Sequence, residues 1–146
     1  MKTAIFPGSF DPMTIGHLSL LKKAVNLFDK VVVAIGINSN KKNSADISQR
    51  IECICKACEV FPNVEVVQYD SLTTDLCHRY GAKYIVRGLR SQADFAYESQ
   101  IADINRLLDS NIETVFLLAE PQYRAISSTM VRELQTYGKD VSNWLC

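Results

Sequence analysis

The amino-acid sequence predicts an α/β fold, a single open parallel sheet of five strands with helices on both faces. Strand-like and helix-like segments alternate along the chain, which indicates five β/α units joined by right-handed crossovers. The second strand carries the continuous apolar run Val31-Val32-Val33-Ala34-Ile35, as is typical of a strand buried on both faces. The chain has 146 residues and no internal repeat or linker, so we expect one domain over residues 1–146.

The first half of the chain supplies three of the predicted strands, at 2–6, 30–38 and 64–69. The first helix is predicted over 17–28 because apolar residues share one face at Leu18, Leu21, Val25 and Phe28. A polar segment over 38–44 separates the second strand from a helix at about 46–60, for which Ser44 or Asp46 is a candidate N-cap. That helix presents an apolar face made of Ile51, Ile54, Cys55 and Cys58.

The second half continues the alternation with strands over 83–87 and 113–119. A short helix over 73–80 is expected to end at Gly81, and a last helix over 128–137 at Gly138. Between the two strands a helix is predicted over 94–108, with four apolar residues in register at Tyr97, Ile101, Ile104 and Leu108.

Charge and composition narrow the class of protein. Sixteen basic residues balance sixteen acidic ones, which argues against bulk binding to nucleic acid. No apolar run approaches the ~20 residues that a membrane helix needs. The chain starts directly in a strand without the apolar segment of a signal peptide, so we expect a cytoplasmic protein with no membrane partner.

Five cysteines raise the question of a metal site. Cys53, Cys55 and Cys58 are close in sequence but lie within a helical pattern, and no second ligand cluster accompanies them. A free cysteine packs as a small hydrophobe. We therefore favour reduced, structural thiols and assign no residue as a metal ligand.

Cations and hydroxyls gather in the segments that follow the strands. Parallel strands bring these segments to one edge of the sheet, where open α/β sheets bind ligands. They contain Gly8, Ser9 and His17, then Lys41 and Lys42, then Arg87-Gly88-Leu89-Arg90, and finally Tyr123-Arg124 with Ile126-Ser127-Ser128-Thr129. Lysine, arginine and helix N-termini all stabilise phosphate, which indicates a pocket for a small polyanion.

Each of these features also has a structural interpretation. A histidine at a helix start is often a cap, a Lys-Lys pair in a loop is often solvated, and Ser-Ser-Thr before a helix is often a capping run. Arg87 and Arg90 could form ordinary surface ion pairs, and Glu98 could be an exposed helical acid. Their concentration at one edge is what favours a binding site.

Two motifs carry a resemblance to a known group of enzymes. Thr14-Ile15-Gly16-His17 and Ile126-Ser127-Ser128-Thr129-Met130-Val131-Arg132 resemble the (T/H)xGH and ISSTxxR motifs of the nucleotidyltransferase superfamily. Arg87-Gly88-Leu89-Arg90, followed by Asp94-Phe95-Ala96-Tyr97-Glu98, resembles the bacterial phosphopantetheine adenylyltransferase family in particular. The resemblance covers about residues 3–145 and implies a Rossmann-like nucleotidyltransferase fold.

That family transfers the adenylyl group of ATP to 4′-phosphopantetheine, with Mg²⁺ accompanying ATP, and is typically a homohexamer. The resemblance implies catalytic roles for His17, Lys41 and Arg90, and acceptor binding by Ser9, Lys41, Thr73 and Arg87. It implies ATP binding by Ser9, Phe10, His17, Gly88, Leu89, Arg90, Glu98, Tyr123, Arg124, Ala125, Ile126, Ser127, Ser128 and Thr129. Ser9 stands where the family commonly has threonine, and it keeps the hydroxyl.

Two alternatives stay open at this point. One keeps the superfamily but changes the acceptor, to nicotinate mononucleotide or a glycerol phosphate. The other is a flavodoxin-like or nucleotide-sensing module that binds without catalysis, since the fold alone does not fix function. The cations in three separate loops, together with His17, favour an enzyme with two phosphorylated substrates.

Overall fold

Strands and helices alternate along the part of the chain that a computed structural model describes, residues 1–37 and 44–146. The strands β1 to β5 span Thr3–Gly8, Lys30–Gly36, Val64–Tyr69, Tyr84–Leu89 and Glu113–Leu118. The helices α1 to α5 span Ile15–Leu27, Ser44–Cys58, Thr73–Tyr80, Gln92–Leu108 and Ser128–Thr136. Short 3-10 turns lie at Pro121–Tyr123 and Ser142–Trp144.

The five strands form one parallel sheet in the order β3-β2-β1-β4-β5, which confirms the predicted fold class. The order reverses between β1 and β4, the point at which open α/β sheets place their ligand crevice. β1 and β4 pair only at Ala4–Tyr84 and Ile5–Ile85, whereas β1 and β2 pair over the whole length of β1. The carboxyl ends of β1 and β4 therefore separate, and a cleft opens between them.

Apolar side chains cover both faces of the sheet. On one face, Leu21, Ala24 and Phe28 from the α1 segment and Ile54 and Cys58 from α2 pack on β1 and β2. On the other face, Leu76 and Cys77 of α3 pack on Ile5, Val32 and Ile85. The run Val31–Ile35 is completely buried, as the sequence pattern predicts. The two packed layers fix the strand ends that carry the cleft.

Several boundaries differ from the sequence prediction near the ligand edge. α1 begins at Ile15 because Thr14 caps it, so His17 lies in the first turn rather than at the start. β4 continues to Leu89, beyond the predicted end at Arg87, so Gly88 and Leu89 also belong to the strand. α2 begins at Ser44, so Asp46 lies inside the helix and is not its N-cap. Gly81 ends α3 in the left-handed conformation with φ 63°, as expected.

Of the four apolar residues predicted in register on α4, only Ile101 is partly buried, and it lines the second cavity. Tyr97, Ile104 and Leu108 are all more than half exposed, and Leu107 is 87% exposed. The buried residue of the helix is Glu98, at 7% exposure. Apolar periodicity identified the helix correctly, but the side that faces the sheet carries a charged group and lines a cavity.

The five cysteines differ in their burial. Cys58 and Cys77 are buried, whereas Cys53, Cys55 and Cys146 are exposed, so the prediction that Cys55 shares the buried face is wrong. Lys41 and Lys42 lie outside the described residues. Within the described ranges, no helix has both the length and the apolar character needed to cross a membrane.

Candidate active site

Two cavities meet at the carboxyl ends of β1 and β4. The first has a volume of about 250 Å³ and extends from β1 over α1 to the start of α5. The second has a volume of about 270 Å³ and lies between β1, the end of β3, and α4. Five residues line both cavities: Pro7, Gly8, Ser9, Arg87 and Glu98. A ligand in either cavity would therefore contact the same wall.

The turn after β1 holds Phe10 in an uncommon backbone conformation. Phe10 has a positive φ of 47°. This backbone conformation is unfavourable for any residue other than glycine, and it persists only where surrounding contacts hold it. Phe10 is 2% exposed, and its ring packs edge-on against Phe6 and His17, with centroid distances of 5.5 and 5.1 Å. A Cβ on Gly8 would lie 3.0 Å from this ring, so a side chain at that position would require the Phe10 ring to shift by a few tenths of an ångström.

His17 forms a capping box with Thr14. The backbone N–H of Thr14 donates to Nδ1 of His17 at 2.9 Å, and the backbone N–H of His17 donates to Oγ1 of Thr14 at 3.4 Å. The structural interpretation of this histidine as a cap is therefore correct. Because Nδ1 accepts a hydrogen bond, the neutral ring carries its proton on Nε2. His17 lines the first cavity, and we expect its Nε2–H to donate to a ligand there.

The surroundings of His17 keep the ring neutral. Burial, followed by the positive charges of Arg90 and Arg87, lowers the pKa of His17 from 6.5 to about 4. At neutral pH the free site thus offers an uncharged hydrogen-bond donor. An anionic ligand beside the ring would offset the two arginine charges and favour protonation.

Arg87 and Glu98 form a paired bridge between β4 and α4. Nε and Nη2 of Arg87 donate to the two carboxylate oxygens of Glu98 at 2.8 and 2.5 Å, and Nη1 donates to the Pro7 carbonyl at 2.6 Å. Burial opposes the charge of Arg87, but the hydrogen bonds and charge of Glu98 outweigh it, so the pKa of Arg87 is raised. The guanidinium is oriented across the gap between β1 and β4, with one N–H on each terminal nitrogen left for a ligand.

Arg90 lies just beyond the end of β4 and is held by α4. The carboxylate of Asp94 accepts from the Arg90 backbone N–H at 2.9 Å and from its Nε at 3.2 Å. The side chain of Arg90 is 41% exposed and lines the first cavity. Asp94 therefore orients the guanidinium of Arg90 through Nε and does not bond its two terminal nitrogens.

The two serines at the start of α5 make different hydrogen bonds. Ser127 is the N-cap and accepts from the Met130 backbone N–H at 3.1 Å, while Ser128 donates to the Pro12 carbonyl at 2.6 Å. Both contacts fit the structural interpretation of this run. The capped start of α5 nevertheless faces the first cavity through Ser127, Ser128 and Thr129, where the first backbone N–H groups of a helix favour an anion.

The structure brings most of the predicted site residues together. The first cavity is lined by Ser9, Phe10, His17, Arg87, Gly88, Arg90, Glu98, Tyr123, Ile126, Ser127, Ser128 and Thr129. The second is lined by Ser9, Thr73, Arg87 and Glu98. Among the predicted residues that the structure describes, three line neither cavity: Leu89 is buried at the end of β4, and Arg124 and Ala125 are exposed.

Three residues at the site had no role in the sequence analysis. Asp94 orients Arg90, and its position in the first turn of α4 is a weak signal for an N-terminal acid. Tyr69 lines the second cavity and its hydroxyl lies 3.3 Å from Oγ1 of Thr73. Arg50 contacts the turn after β1 from α2, and nothing in the sequence singles it out.

The carboxylates at the site are committed to arginines. Glu98 pairs with Arg87 and Asp94 pairs with Arg90. In the ranges 1–37 and 44–146, no group of three or more His, Cys, Asp or Glu residues could hold a metal ion. The hydroxyl, imidazole and guanidinium groups that line the first cavity can donate to phosphate oxygens.

A family model and curated relatives match nearly the whole chain. The Cytidylyltransferase-like family model matches residues 5–134. Phosphopantetheine adenylyltransferase of Phocaeicola vulgatus is 51% identical over 145 residues, covering 99% of this chain and 95% of that protein. The enzymes of the same name from Bacteroides thetaiotaomicron and Limosilactobacillus reuteri are 47% and 45% identical over 99% of this chain, and over 95% and 84% of their own lengths.

Solved structures of low identity support the fold. A structure described as a nicotinate-nucleotide adenylyltransferase of Vibrio parahaemolyticus superposes with a TM-score of 0.69 at 20% identity, over 99% of this chain and 87% of that one. A bifunctional NMN adenylyltransferase/ADP ribose pyrophosphatase of Francisella tularensis gives 0.71 at 17% identity, over 99% of this chain and 44% of that one. The family model, the full-length relatives and the motifs at the sheet edge together place this chain in the phosphopantetheine adenylyltransferase family of the Cytidylyltransferase-like proteins.

Proposed function

We propose that this protein transfers the adenylyl group of ATP to 4′-phosphopantetheine, giving dephospho-coenzyme A and pyrophosphate. One observation carries the proposal beyond the family relationship. Two cavities share a wall that contains Ser9 and Arg87, and the neutral donor His17 lines one of them beside that wall. Such a site suits the joining of two phosphorylated molecules.

ATP belongs in the first cavity in this proposal. His17, Gly88, Arg90 and Glu98 line it, and the start of α5 supplies backbone N–H groups for the phosphates. Tyr123, Ile126, Ser127, Ser128 and Thr129 border the space left for the nucleotide. We also assign backbone contacts to Phe10 and Leu89, and place Arg124 and Ala125 over the bound nucleotide. Because these last two are exposed in the free protein, that part of the assignment requires the turn to close on ATP.

The acceptor belongs in the second cavity. Thr73, with Tyr69 beside it, borders a channel suited to the pantetheine arm. The phosphate of the acceptor is placed at the shared wall, where Arg87 keeps N–H groups for it and Ser9 can donate to both substrates. Lys41, which lies outside the described residues, is proposed to bridge the phosphates of the two substrates.

The chemistry needs positioning and charge neutralisation more than a base. An acceptor phosphate oxygen attacks the α-phosphorus of ATP, a new P–O bond forms, and the bond to the bridging oxygen breaks to release pyrophosphate. The attacking oxygen is already anionic, so no proton has to be removed first. We propose that Nε2–H of His17 donates to the α-phosphate as its charge redistributes, and that Arg90 stabilises the same region.

Mg²⁺ is proposed to enter as part of the nucleotide substrate. Asp94 and Glu98 are paired with arginines, so the described residues favour an ion carried mainly by the phosphates of ATP. The ion would offset negative charge on the polyphosphate when bound.

Assembly and location complete the proposal. We infer that residues 1–146 act as one domain, since all five strands enter one sheet. We also propose a homohexamer in the cytoplasm that has no nucleic-acid or membrane partner. Support for assembly comes from α4, where Ile104, Leu107 and Leu108 are exposed.

The direct test is an assay of pyrophosphate release with ATP, Mg²⁺ and 4′-phosphopantetheine. We expect turnover with this acceptor and dephospho-coenzyme A as the product. Nicotinate mononucleotide and glycerol 3-phosphate serve as alternative acceptors, and flavin mononucleotide as a binding control by calorimetry. Folded protein that releases no pyrophosphate with 4′-phosphopantetheine would refute the proposal.

A further inference from the structure

The turn after β1 is held from outside by side chains of two helices. Nη1 of Arg50, on α2, donates to the Ser9 carbonyl at 3.3 Å and lies 3.5 Å from Oδ2 of Asp11. From α5, Arg132 donates to the Asp11 carbonyl and Ser128 donates to the Pro12 carbonyl at 2.6 Å. Contacts therefore fix the residues immediately before and after Phe10.

Arg50 is the contact that precedes the strained residue. Its side chain is 15% exposed, although an arginine normally keeps its charge in water. It lies in the second turn of α2, where the helix dipole does not favour a cation. Its Nε is buried without a hydrogen-bond partner among the described residues. Partial burial of this cation costs free energy of solvation, and the contacts of Arg50 with the turn after β1 offset part of that cost.

The turn after β1 connects Arg50 to two candidate site residues, Ser9 and His17. Ser9 is held through its carbonyl, and its side chain lines both cavities. Phe10 follows with a φ of 47°, a conformation that persists only when neighbouring contacts fix it. The ring of Phe10 packs edge-on against the ring of His17 at 5.1 Å. Arg50 itself lines neither cavity, so it does not touch a ligand held there.

We propose that Arg50 is a positioning residue that sets the Ser9–Phe10 turn, and through it the placement of Ser9 and the His17 ring. The proposal rests on the proposed adenylyl transfer, because the rate is one of its readouts. A displacement of reacting groups by about 1 Å can cost on the order of 100-fold in rate. Loss of Arg50 is therefore expected to affect turnover more than the binding of either substrate.

The kinetic test compares three variants with the unchanged protein. We expect Arg50→Gln to lower kcat by about 10- to 100-fold, while KM for ATP and for the acceptor changes by less than about three-fold. Both contacts of Arg50 use the single nitrogen Nη1, so the ammonium of Arg50→Lys is expected to restore kcat to within about five-fold. Lys56→Gln removes the same charge from the exposed side of α2 and should leave kcat unchanged.

A second readout does not depend on turnover. The chain has two histidines, so the ring NMR signals of His17 and His78 can be assigned by one substitution each. We expect Arg50→Gln to shift the ring signals of His17 and to leave those of His78, which is on α3, unchanged. If the unchanged protein has no adenylyltransferase activity, the proposed function fails, and the His17 signals still test Arg50.

The outcomes separate positioning from other roles. A folded Arg50→Gln protein with normal kcat and unshifted His17 signals overturns the proposal. A rise in KM with normal kcat overturns it as well, because it would make Arg50 a substrate-binding residue. If Arg50→Gln does not fold, Asp11→Asn takes its place, because it removes the carboxylate that Arg50 contacts beside the turn. A loss of melting temperature in Asp11→Asn, with kcat per folded molecule and His17 signals unchanged, would overturn the proposal in favour of a purely structural role.

Discussion

His17 uses its two ring nitrogens for different purposes. Nδ1 accepts from the Thr14 backbone and completes the cap of α1, while the proton stays on Nε2 at the first cavity. The capping contact therefore fixes both the tautomer and the orientation of the ring. Loss of the side chain removes a preoriented donor and part of a helix cap in a single substitution.

We predict that His17→Ala lowers turnover by about 100-fold or more, because an oriented donor to developing charge contributes about 10²–10³ in rate. Circular dichroism should show an intact fold. Thr14→Ala is the matched control, since it removes the other side chain of the capping box but keeps the backbone N–H that orients Nδ1. Near-normal turnover of His17→Ala would remove this residue from the chemistry.

The low pKa of His17 predicts a pH dependence of stability. Its folded-state pKa of about 4 lies below the ordinary value of 6.5, so the unfolded chain binds more protons between these values. The contribution of neutral His17 to stability is therefore present at pH 7 and is lost as pH falls toward 4. Between pH 7 and pH 4.5, the free energy of unfolding should fall by about 2 kcal/mol more in the unchanged protein than in His17→Gln. Parallel pH profiles from urea denaturation of the two proteins would contradict this.

At the scale of elements, β4 and α4 are joined by the pair of Arg87 and Glu98. The Glu98 side chain is 9% exposed, while the Arg87 side chain is 30% exposed. The pair sits in the wall between the two cavities, so it serves both the packing of α4 and the direction of the guanidinium.

Glu98→Gln is predicted to lower the free energy of unfolding by about 2 kcal/mol, because a partly buried guanidinium loses its charged partner. It should also raise KM for the acceptor, since Arg87 is no longer oriented. Glu113→Gln, which removes the exposed pair with Arg106, is the control and should change stability by less than about 0.5 kcal/mol. Equal stability losses in the two variants would contradict the assignment.

The start of α5 gives a second prediction at this scale. Ser127→Ala should lower the free energy of unfolding by about 1 kcal/mol, because the Met130 N–H loses its cap. Ser99→Ala is the control. The Ser99 hydroxyl donates to the Ala96 carbonyl within α4, so its loss should leave the stability of the protein unchanged or raise it. Thermal melts of both variants distinguish the N-cap from an ordinary helical serine.

Sequence patterns predicted the elements better than their environment. Alternating strands and helices located all five strands to within a few residues, because buried strands and amphipathic helices leave local periodicities. The same patterns placed Tyr97, Ile104 and Leu108 on a helix but could not show that this face is left uncovered. Arg50 was missed because its contact with Ser9 joins residues 41 positions apart, which no local pattern encodes.

At the scale of the whole molecule, the exposed apolar face of α4 predicts association. Ile104, Leu107 and Leu108 are each more than half exposed, and Leu118 at the end of β5 is also exposed. We expect the protein to sediment as an oligomer, and Leu107→Glu to sediment as a smaller species with unchanged circular dichroism. A monomer in the unchanged protein at micromolar concentration would contradict this.

The shared wall of Ser9, Arg87 and Glu98 also defines a design rule for inhibitors. Two fragments, one in each cavity, would both contact this wall, so a covalent linker that joins them has to pass along the residues that line both cavities. Once one end binds, the other is held at a high effective concentration, and affinity can exceed that of either fragment by about 10²–10⁴. The same geometry limits resistance, because a substitution in the wall that weakens the inhibitor alters the surface that both substrates use.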